Sequence, residues 1–271
     1  MPDRDAAFVG SVPENYDRYL GPLLFHRYAD DLVGRLAVTP GLRVLETACG
    51  TGIVTERLAR RLRAQGTVVA TDLNEPMLAY ARSKGPLGPE VTWRQADATA
   101  LPFETASFDA MVCQFGLMFF PDKAQGVREA WRVLRPGGHF LLNVWDSFAH
   151  NPVIRIVHET VAGFFPESPP QFYTVPTNLA DTTKVSAWLR EAGFENVEPV
   201  AVAAEGTSPS PADAARGLID GNPIAAAIVE RRASALPEVK TEVARRLAAE
   251  LGDRRPFRCP LSAFVFVARK P

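Results

Sequence analysis

The stretch that decides the fold is RVLETACGTG, residues 43–52 of the 271-residue chain. It predicts a buried strand and a glycine turn, followed by a helix over residues 53–63. Gly50 and Gly52 carry no Cβ, so a ligand can approach this part of the backbone closely. Asp72 ends the next predicted strand, where its carboxylate can accept hydrogen bonds from both hydroxyls of a ribose. Together these features predict a nucleoside ligand.

Two kinds of nucleoside compete for this turn. A dinucleotide such as NAD needs a third glycine three residues after the second, but Thr55 stands at that position. Glu46, at the tip of the first strand, would also point negative charge towards the phosphates. A ligand with a ribose, no phosphate and a cationic ammonium and sulfonium tolerates Glu46 well, and S-adenosylmethionine fits that description. An NAD(P)-dependent oxidoreductase is the alternative.

Five motifs follow one another between residues 46 and 138: Glu46-x-x-x-Gly50-x-Gly52, Asp72, Asp97-Ala98, FDAMVCQ at 108–114 and LRPGG at 134–138. In this order they resemble the motifs of the class I S-adenosylmethionine-dependent methyltransferases. The similar branch is the small-molecule group of ubiquinone and menaquinone biosynthesis methyltransferases (methyltransferase type 11). That family has Asp at position 46 and Gly at position 48, whereas this chain has Glu46 and Ala48. The first change keeps the charge, and the second adds a Cβ near the turn.

The resemblance implies that the protein binds S-adenosyl-L-methionine and releases S-adenosyl-L-homocysteine. It assigns Asp72 to the ribose, Asp97-Ala98 to the adenine and Gln114 to the methionine moiety. Tyr16 is placed on an N-terminal helix that closes over the methionine end, and Met77 is expected to pack on the adenine face. The predicted cofactor-binding residues are Tyr16, Glu46, Ala48, Gly50, Gly52, Asp72, Leu73, Met77, Asp97, Ala98 and Gln114.

Strand and helix patterns alternate along the chain, which predicts an α/β fold with a mostly parallel sheet covered by helices on both faces. The resemblance makes this a Rossmann-like sheet of seven strands, with the last strand antiparallel beside the fifth. Strands are predicted near 42–47, 67–72, 91–96, 108–113, 138–145, 194–201 and 261–268. Helices are predicted over 53–63, 75–83, 123–134 and 182–192.

The chain divides into one core and three additions. We predict an N-terminal helical arm over 1–37, the S-adenosylmethionine-binding core over 38–147, a linker or substrate-side insertion over 148–180, the rest of the core sheet over 181–201 and 261–271, and a helical lid insertion over 202–260. In the insertion, apolar residues recur every four positions and predict one stripe on a helix: Val239, Val243, Leu247 and Leu251. We expect a substrate lid there; the alternative is a homodimer contact through this lid or the arm.

Composition limits the choice of partners. The formal net charge is −1, so no basic field attracts nucleic acid or an anionic membrane. No apolar run approaches the ~20 residues of a membrane span, and the N-terminus lacks the pattern of a secretory signal, which predicts a cytoplasmic protein. The 3 cysteines and 4 histidines show no metal-ligand spacing, so we predict no metal.

The chemistry of a sulfonium methyl asks little of the protein, because the group is already activated and mainly needs a nucleophile held in line. A base is required only if the acceptor is protonated at neutral pH. His150, which follows the fifth strand, is the candidate base, although a loop histidine that hydrogen-bonds locally is the alternative. Phe115, Phe119 and Trp145 are expected to line the acceptor pocket, with core packing as their alternative role.

The expected activity is methyl transfer from S-adenosylmethionine to a small, aromatic or apolar acceptor by in-line displacement. A non-catalytic regulatory or scaffold protein that binds S-adenosylmethionine would keep the same nucleoside residues, so the motifs do not separate it from an enzyme. They do not specify the acceptor, or whether O, N, C or S is methylated.

Overall fold

The computed structural model describes residues 8–63 and 65–271. Seven strands form one sheet: β1 (Leu42–Glu46), β2 (Gly66–Asp72), β3 (Val91–Gln95), β4 (Phe108–Gln114), β5 (Leu134–Trp145), β6 (Val200–Ser208) and β7 (Phe257–Arg269). Their order is β3-β2-β1-β4-β5-β7-β6. The first five strands are parallel, and β7 is antiparallel to both β5 and β6. The predicted Rossmann-like sheet and its antiparallel last strand are confirmed.

The helices of the described residues surround this sheet. They are α1 (Val12–Asn15), α2 (His26–Gly34), α3 (Ile53–Leu62), α4 (Glu75–Ser83), α5 (Lys123–Val133), α6 (Pro152–Phe164), α7 (Thr183–Ala192), α8 (Pro211–Asp220), α9 (Ile224–Arg232) and α10 (Ala235–Leu251). A π-helix (Tyr16–Phe25) joins α1 to α2, and two 3-10 turns occupy Leu117–Phe119 and Phe172–Thr174.

The central strands are buried on both faces, because helices cover each side of a parallel sheet. Val44, Val68 and Val112 are completely shielded from solvent, and so are Leu45, Ala70 and Met111. Strand β1 pairs with β2 and β4, so Glu46 lies beside Ala70 and Val112. This register brings the carboxyl ends of β1, β2 and β4 to one edge of the sheet, where ligands bind in folds of this type.

The sixth strand lies later in the chain than the predicted 194–201. Pro199 has no N–H to donate to a ladder, and the regular pairing with β7 begins only at Val200. Before it, Phe194 and Val197 are buried through side-chain packing, and only Glu195 forms an isolated bridge, with Arg269. Strand β7 is longer than predicted because residues 257–260 pair with the extended end of β6.

The helical insertion and the linker hold two helices that the sequence pattern missed. Helix α6 begins at Pro152 inside the proline-rich linker, since proline is tolerated in the first turn, where its missing N–H is not needed. Helix α9 lies between α8 and α10, which correspond to the helices that the sequence predicts over residues 212–219 and 237–251 of the insertion. The apolar stripe of α10 packs inside the protein itself, because Val239, Val243 and Leu247 are fully buried.

Candidate functional site

A cavity opens where the parallel strands end, and we call it the strand-end cavity. It encloses about 750 Å³ of atom-free space, its mouth included. Nine of the eleven predicted cofactor-binding residues line it: Tyr16, Ala48, Gly50, Asp72, Leu73, Met77, Asp97, Ala98 and Gln114. The remaining two, Glu46 and Gly52, do not line it.

The turn between β1 and α3 adopts the left-handed conformation at three positions. Ala48, Gly50 and Gly52 have φ angles of 52°, 55° and 83°. A Cβ built at Gly52 would lie 2.9 Å from the ring of Trp93, so this glycine is required by packing as well as by φ. Ala48 adopts the same backbone conformation with a Cβ, which is an unfavourable choice for an L-residue. Ala48, which replaces the glycine of the family motif, therefore has a strained backbone.

Asp72 at the end of β2 holds the turn in place. Its Oδ2 accepts the backbone N–H of Gly50 at 2.8 Å, and its Oδ1 accepts the N–H of Asn74 at 2.8 Å. Burial raises the pKa of Asp72, and the same N–H donors act in the opposite direction by stabilising the carboxylate. The carboxylate thus holds Gly50 and Asn74, which line the strand-end cavity on either side of it, and it lines this cavity itself.

Glu46 does not reach this cavity, which differs from the sequence prediction. Its side chain is only 2% exposed, and its Oε2 accepts a hydrogen bond from the Thr55 hydroxyl at 2.6 Å. Burial raises the pKa of Glu46 to about 8. Thr55, which occupies the position of a third dinucleotide glycine, therefore anchors Glu46 beneath the turn. A direct contact between Glu46 and a ligand is not supported by this geometry.

Asp97 and Gln114 offer acceptor oxygens on two other walls. Asp97 is exposed, and its Oδ1 accepts both the N–H and the hydroxyl of Thr99. Gln114, at the end of β4, has a buried Oε1 that accepts no hydrogen bond. A buried amide oxygen without a partner is costly, so Gln114 Oε1 indicates a place where a bound donor is expected.

The N-terminal arm covers the cavity through the π-helix. Tyr16 stacks on Phe25 with 4.7 Å between ring centroids, and burial raises the pKa of its hydroxyl. The neighbouring Asp17 accepts hydrogen bonds from Thr51 in the glycine turn at 2.7 Å and from Lys84 at 3.0 Å. These partners are far apart in sequence, and no local pattern indicated that they meet. They tie the arm to the turn.

A second cavity adjoins the first, and we call it the aromatic cavity. It has about 450 Å³ of atom-free space and shares Phe8, Tyr16, Phe115 and Phe119 with the strand-end cavity. Its other walls are Leu24, Phe25, Trp145, Ile154, Phe172, Tyr173, Pro176 and Asn222. All three predicted acceptor-pocket residues, Phe115, Phe119 and Trp145, line it. The linker and the helical insertion supply the far wall, which the sequence did not specify by residue.

Phe115 and Trp145 have both roles that the sequence left open for them. Their rings stack in parallel with 3.9 Å between centroids, and each is less than a tenth exposed. Phe115 also has a positive φ of 50°, which turns its ring back onto Trp145 at the end of β4. Tyr28 packs edge-on against both rings. They are core residues whose remaining surface forms a cavity wall.

His150 lies outside both cavities. Its Nδ1 is 3.0 Å from Asp146 Oδ2, and 65% of its side chain is exposed. Asp146 in turn accepts hydrogen bonds from the Ser262 hydroxyl and the Ser147 N–H. His150 is therefore a solvent-facing residue of the turn before α6, and its position does not support the predicted role as a base.

Replacing His150 with Ala is expected to leave methyl-transfer turnover essentially unchanged, because the imidazole does not line the site. The measurement is initial-rate kinetics of the variant and the unchanged protein, with thermal unfolding to verify that both are folded. A general base contributes about 10²–10⁴-fold to a rate. A loss of that size in the folded variant would contradict this expectation and restore His150 as the base.

A wider surface groove between α6 and α10 contains none of the predicted site residues. It is lined by Glu159, Thr160 and Arg246 among others. Arg246 is already paired with Glu159 at 2.9 Å and with Glu250 at 2.7 Å. Nine of the predicted cofactor-binding residues meet instead at the strand ends, and we take that region as the functional site.

Comparison with known proteins identifies the family. The model of a methyltransferase domain matches residues 45–142. The demethylmenaquinone methyltransferase of Lactiplantibacillus plantarum is 31% identical over 207 residues, which cover 69% of this chain and 86% of that protein. The chain belongs to the class I S-adenosylmethionine-dependent methyltransferases. Among further relatives, the Escherichia coli ubiquinone/menaquinone biosynthesis C-methyltransferase UbiE is 32% identical to this methyltransferase over 193 residues, 65% of this chain and 74% of that protein.

Solved structures agree on the fold of this methyltransferase. The YcgJ protein from Bacillus subtilis superposes with a TM-score of 0.59 at 18% identity, covering 90% of this chain and 98% of that chain. At that identity the likeness shows the fold alone. Over the described residues of the methyltransferase, no helix combines the length and the apolarity needed to cross a lipid bilayer.

Proposed function

We propose that S-adenosylmethionine binds in the strand-end cavity and that a small, apolar acceptor binds in the aromatic cavity. The observation that carries this proposal is the shared wall: Phe8, Tyr16, Phe115 and Phe119 border both cavities. A ligand in one cavity and a ligand in the other would therefore meet along that wall. Methyl transfer requires such a meeting, because the two reacting atoms must lie about 3 Å apart in line.

The polar groups of the strand-end cavity fit this cofactor. The Asp72 carboxylate would accept the ribose hydroxyls, and the partnerless Oε1 of Gln114 would accept from the ammonium group. Met77 and Leu73 offer apolar surface to an adenine, and Asp97 offers a carboxylate at its edge. Tyr16 would close the methionine end. Glu46 would act indirectly, by supporting the turn through Thr55.

When bound, the cofactor supplies a methyl carbon that bonds to an electron pair of the acceptor while the carbon–sulfur pair stays on sulfur, leaving a neutral thioether. The residues of the chain orient the two ligands along the shared wall. Of the described residues that line the aromatic cavity, Tyr16 and Tyr173 have the only titratable side chains. Burial raises the pKa of both hydroxyls, so neither is a base at neutral pH. An acceptor proton would leave to water.

The names of the relatives support an aromatic acceptor. One relative is named for demethylmenaquinone, and another is named for ubiquinone and menaquinone biosynthesis. Most of the residues that line the aromatic cavity are Phe, Tyr or Trp, which suits a planar acceptor through stacked or edge-on contacts. We therefore infer a ring-containing small molecule as the acceptor of this methyltransferase.

Calorimetric titration of the purified protein with S-adenosylmethionine, S-adenosylhomocysteine and NADH tests the cofactor assignment. We expect binding of the first two ligands and none of NADH. The protein is then incubated with S-adenosylmethionine carrying a labelled methyl group and with a panel of phenols, quinols and amines. Labelled product supports an enzyme, whereas tight cofactor binding without transfer to any acceptor would favour the regulatory or scaffold alternative.

For an acceptor methylated on oxygen, the pH dependence should follow the acceptor and not the protein. Since the aromatic cavity offers no base, kcat/KM is expected to rise about tenfold per pH unit below the pKa of the acceptor and to level off above it. The measurement compares a phenol of pKa ~10 with a more acidic phenol of similar size. The inflection should move with the acceptor; an inflection at the same pH for both would reveal a titrating group of the protein.

A further inference from the structure

We propose that Asn222 is a specificity-determining residue that accepts a hydrogen bond from a hydroxyl or N–H group of the methyl acceptor. This inference rests on the proposed function, because it takes the aromatic cavity as the acceptor site. Asn222 lies in the turn between α8 and α9, within the helical insertion. It is 6% exposed and supplies the only side-chain amide among the described residues that line the aromatic cavity.

The hydrogen bonds of Asn222 fix the orientation of its amide. Nδ2 donates to the Leu218 carbonyl at 3.0 Å and to the Tyr173 hydroxyl at 3.2 Å. Of the two polar atoms of an amide, only the nitrogen can donate to a carbonyl, so the nitrogen and oxygen positions of this side chain are determined. The Tyr173 hydroxyl donates its own hydrogen to the same Leu218 carbonyl. Both hydrogens of Nδ2 are therefore used.

The oxygen of Asn222 remains without a partner. No described residue donates to Oδ1, and this atom is not one of the side-chain atoms that are sealed from solvent without a hydrogen bond. Because the residue is almost fully buried and lines the aromatic cavity, we infer that Oδ1 faces that cavity. An amide oxygen in an apolar cavity is stabilised when a bound molecule donates to it.

The position of Asn222 separates this contact from the methylated atom. The wall shared with the strand-end cavity consists of Phe8, Tyr16, Phe115 and Phe119, and Asn222 is not part of it. Asn222 and Tyr173 belong to the part of the aromatic cavity that the cofactor would not touch. The acceptor is thus expected to present one atom to the shared wall and a separate donor group to Asn222.

The other walls set the remaining chemistry of the acceptor. They carry no carboxylate, amine, guanidinium or imidazole among the described residues, so a permanent charge on the acceptor, remote from the methylated atom, would be desolvated without a partner. The inferred acceptor class is a ring-sized aromatic that has no permanent charge and carries a hydroxyl or N–H donor remote from the methylated atom. An analogue without that donor leaves Oδ1 unpaired and should be rejected.

The test compares 1,5-dihydroxynaphthalene, whose hydroxyls lie on opposite rings, with 1-naphthol, which lacks the second hydroxyl. Each compound is titrated by calorimetry into the protein saturated with S-adenosylhomocysteine. We expect the diol to bind at least about tenfold more tightly. Asn222→Leu should remove that preference by weakening the diol alone, while Tyr173→Phe, which keeps Oδ1, should retain most of it.

Binding of S-adenosylhomocysteine separates this inference from the proposed function. It should be unchanged in both variants, since neither residue lines the strand-end cavity. If the unchanged protein does not bind S-adenosylhomocysteine, the proposed function fails. If it does bind, but holds the diol and 1-naphthol equally or binds neither, the role of Asn222 is overturned. This comparison needs no variant, so it remains decisive if Asn222→Leu does not fold.

Discussion

Replacing Asp72 with Ala is expected to weaken the binding of S-adenosylhomocysteine by about 2–3 kcal/mol, or about 30- to 150-fold in Kd. Two losses add to each other. The charge-assisted bonds to the ribose disappear, and the N–H groups of Gly50 and Asn74 lose the carboxylate that accepts from them at 2.8 Å. The turn between β1 and α3 is then free to relax, so the cofactor must also order it.

Calorimetry of the variant gives the affinity, and thermal unfolding verifies that it remains folded. Asp253→Ala is the matched control, because Asp253 is exposed and outside both cavities. Its affinity for S-adenosylhomocysteine should not change. A folded Asp72→Ala protein with the affinity of the control would remove Asp72 from the ribose site.

Replacing Gly116 with Ala is expected to lower the free energy of unfolding by about 1–3 kcal/mol, through overpacking. A Cβ at Gly116 would lie 2.5 Å from the Cβ of Ala48 and 2.8 Å from the Sγ of Cys113. The backbone of Gly116, with φ −100°, accepts any residue, so the cost comes from these contacts alone. Ala48 and Gly116 both line the strand-end cavity, and affinity for S-adenosylhomocysteine should fall as well.

Ala48→Gly should restore part of this loss when combined with Gly116→Ala. It removes the contact between the two Cβ atoms, and it relieves the strain that the positive φ of 52° causes at position 48. By itself Ala48→Gly should have a small effect, since the relieved strain is offset by the greater freedom of glycine in the unfolded chain. Denaturant unfolding of the four proteins then yields a coupling free energy of about 1 kcal/mol or more.

Additive effects of the two substitutions would contradict the contact between Ala48 and Gly116. Gly34→Ala is the control for a harmless added methyl group. Gly34 ends α2, and a Cβ there meets no heavy atom within 4 Å. Since alanine favours helices, this variant should be as stable as the unchanged protein or slightly more stable.

Position 48, where this chain has Ala and the family has Gly, shows what a sequence motif leaves out. The motif identifies the changed residue but not the residue that packs against it. The resemblance identified the position and the added Cβ, but the neighbour of that Cβ follows β4, in a segment 68 residues away. Gly116 compensates for Ala48 by providing the space that the extra methyl group occupies. The strained φ remains, because no change at a neighbouring residue can alter the sterics of an L-residue.

The interior of the sheet and the glycine turn could be predicted because their signals are local. Buried parallel strands are continuous apolar runs, and a turn that needs left-handed φ requires glycine within a few residues of the strand end. The same locality explains the errors. Pro199 has no N–H for the ladder, so β6 begins only after it. Helix α6 begins at Pro152, in a segment where the many prolines led us to predict a linker without a long helix.

The sequence by itself determined the α/β sheet, the glycine turn and the acidic residue at the end of β2, since each is encoded by neighbouring residues. Only the tertiary structure decided which side chains share a cavity. It buried Glu46 against Thr55, left His150 in solvent and joined Asp17 to Lys84. It also brought Tyr173 and Asn222 to the rings that follow β4 and β5. These contacts join residues of different helices, strands and loops, so they depend on how those elements pack. The periodicity of one helix or strand does not show which other element lies beside it.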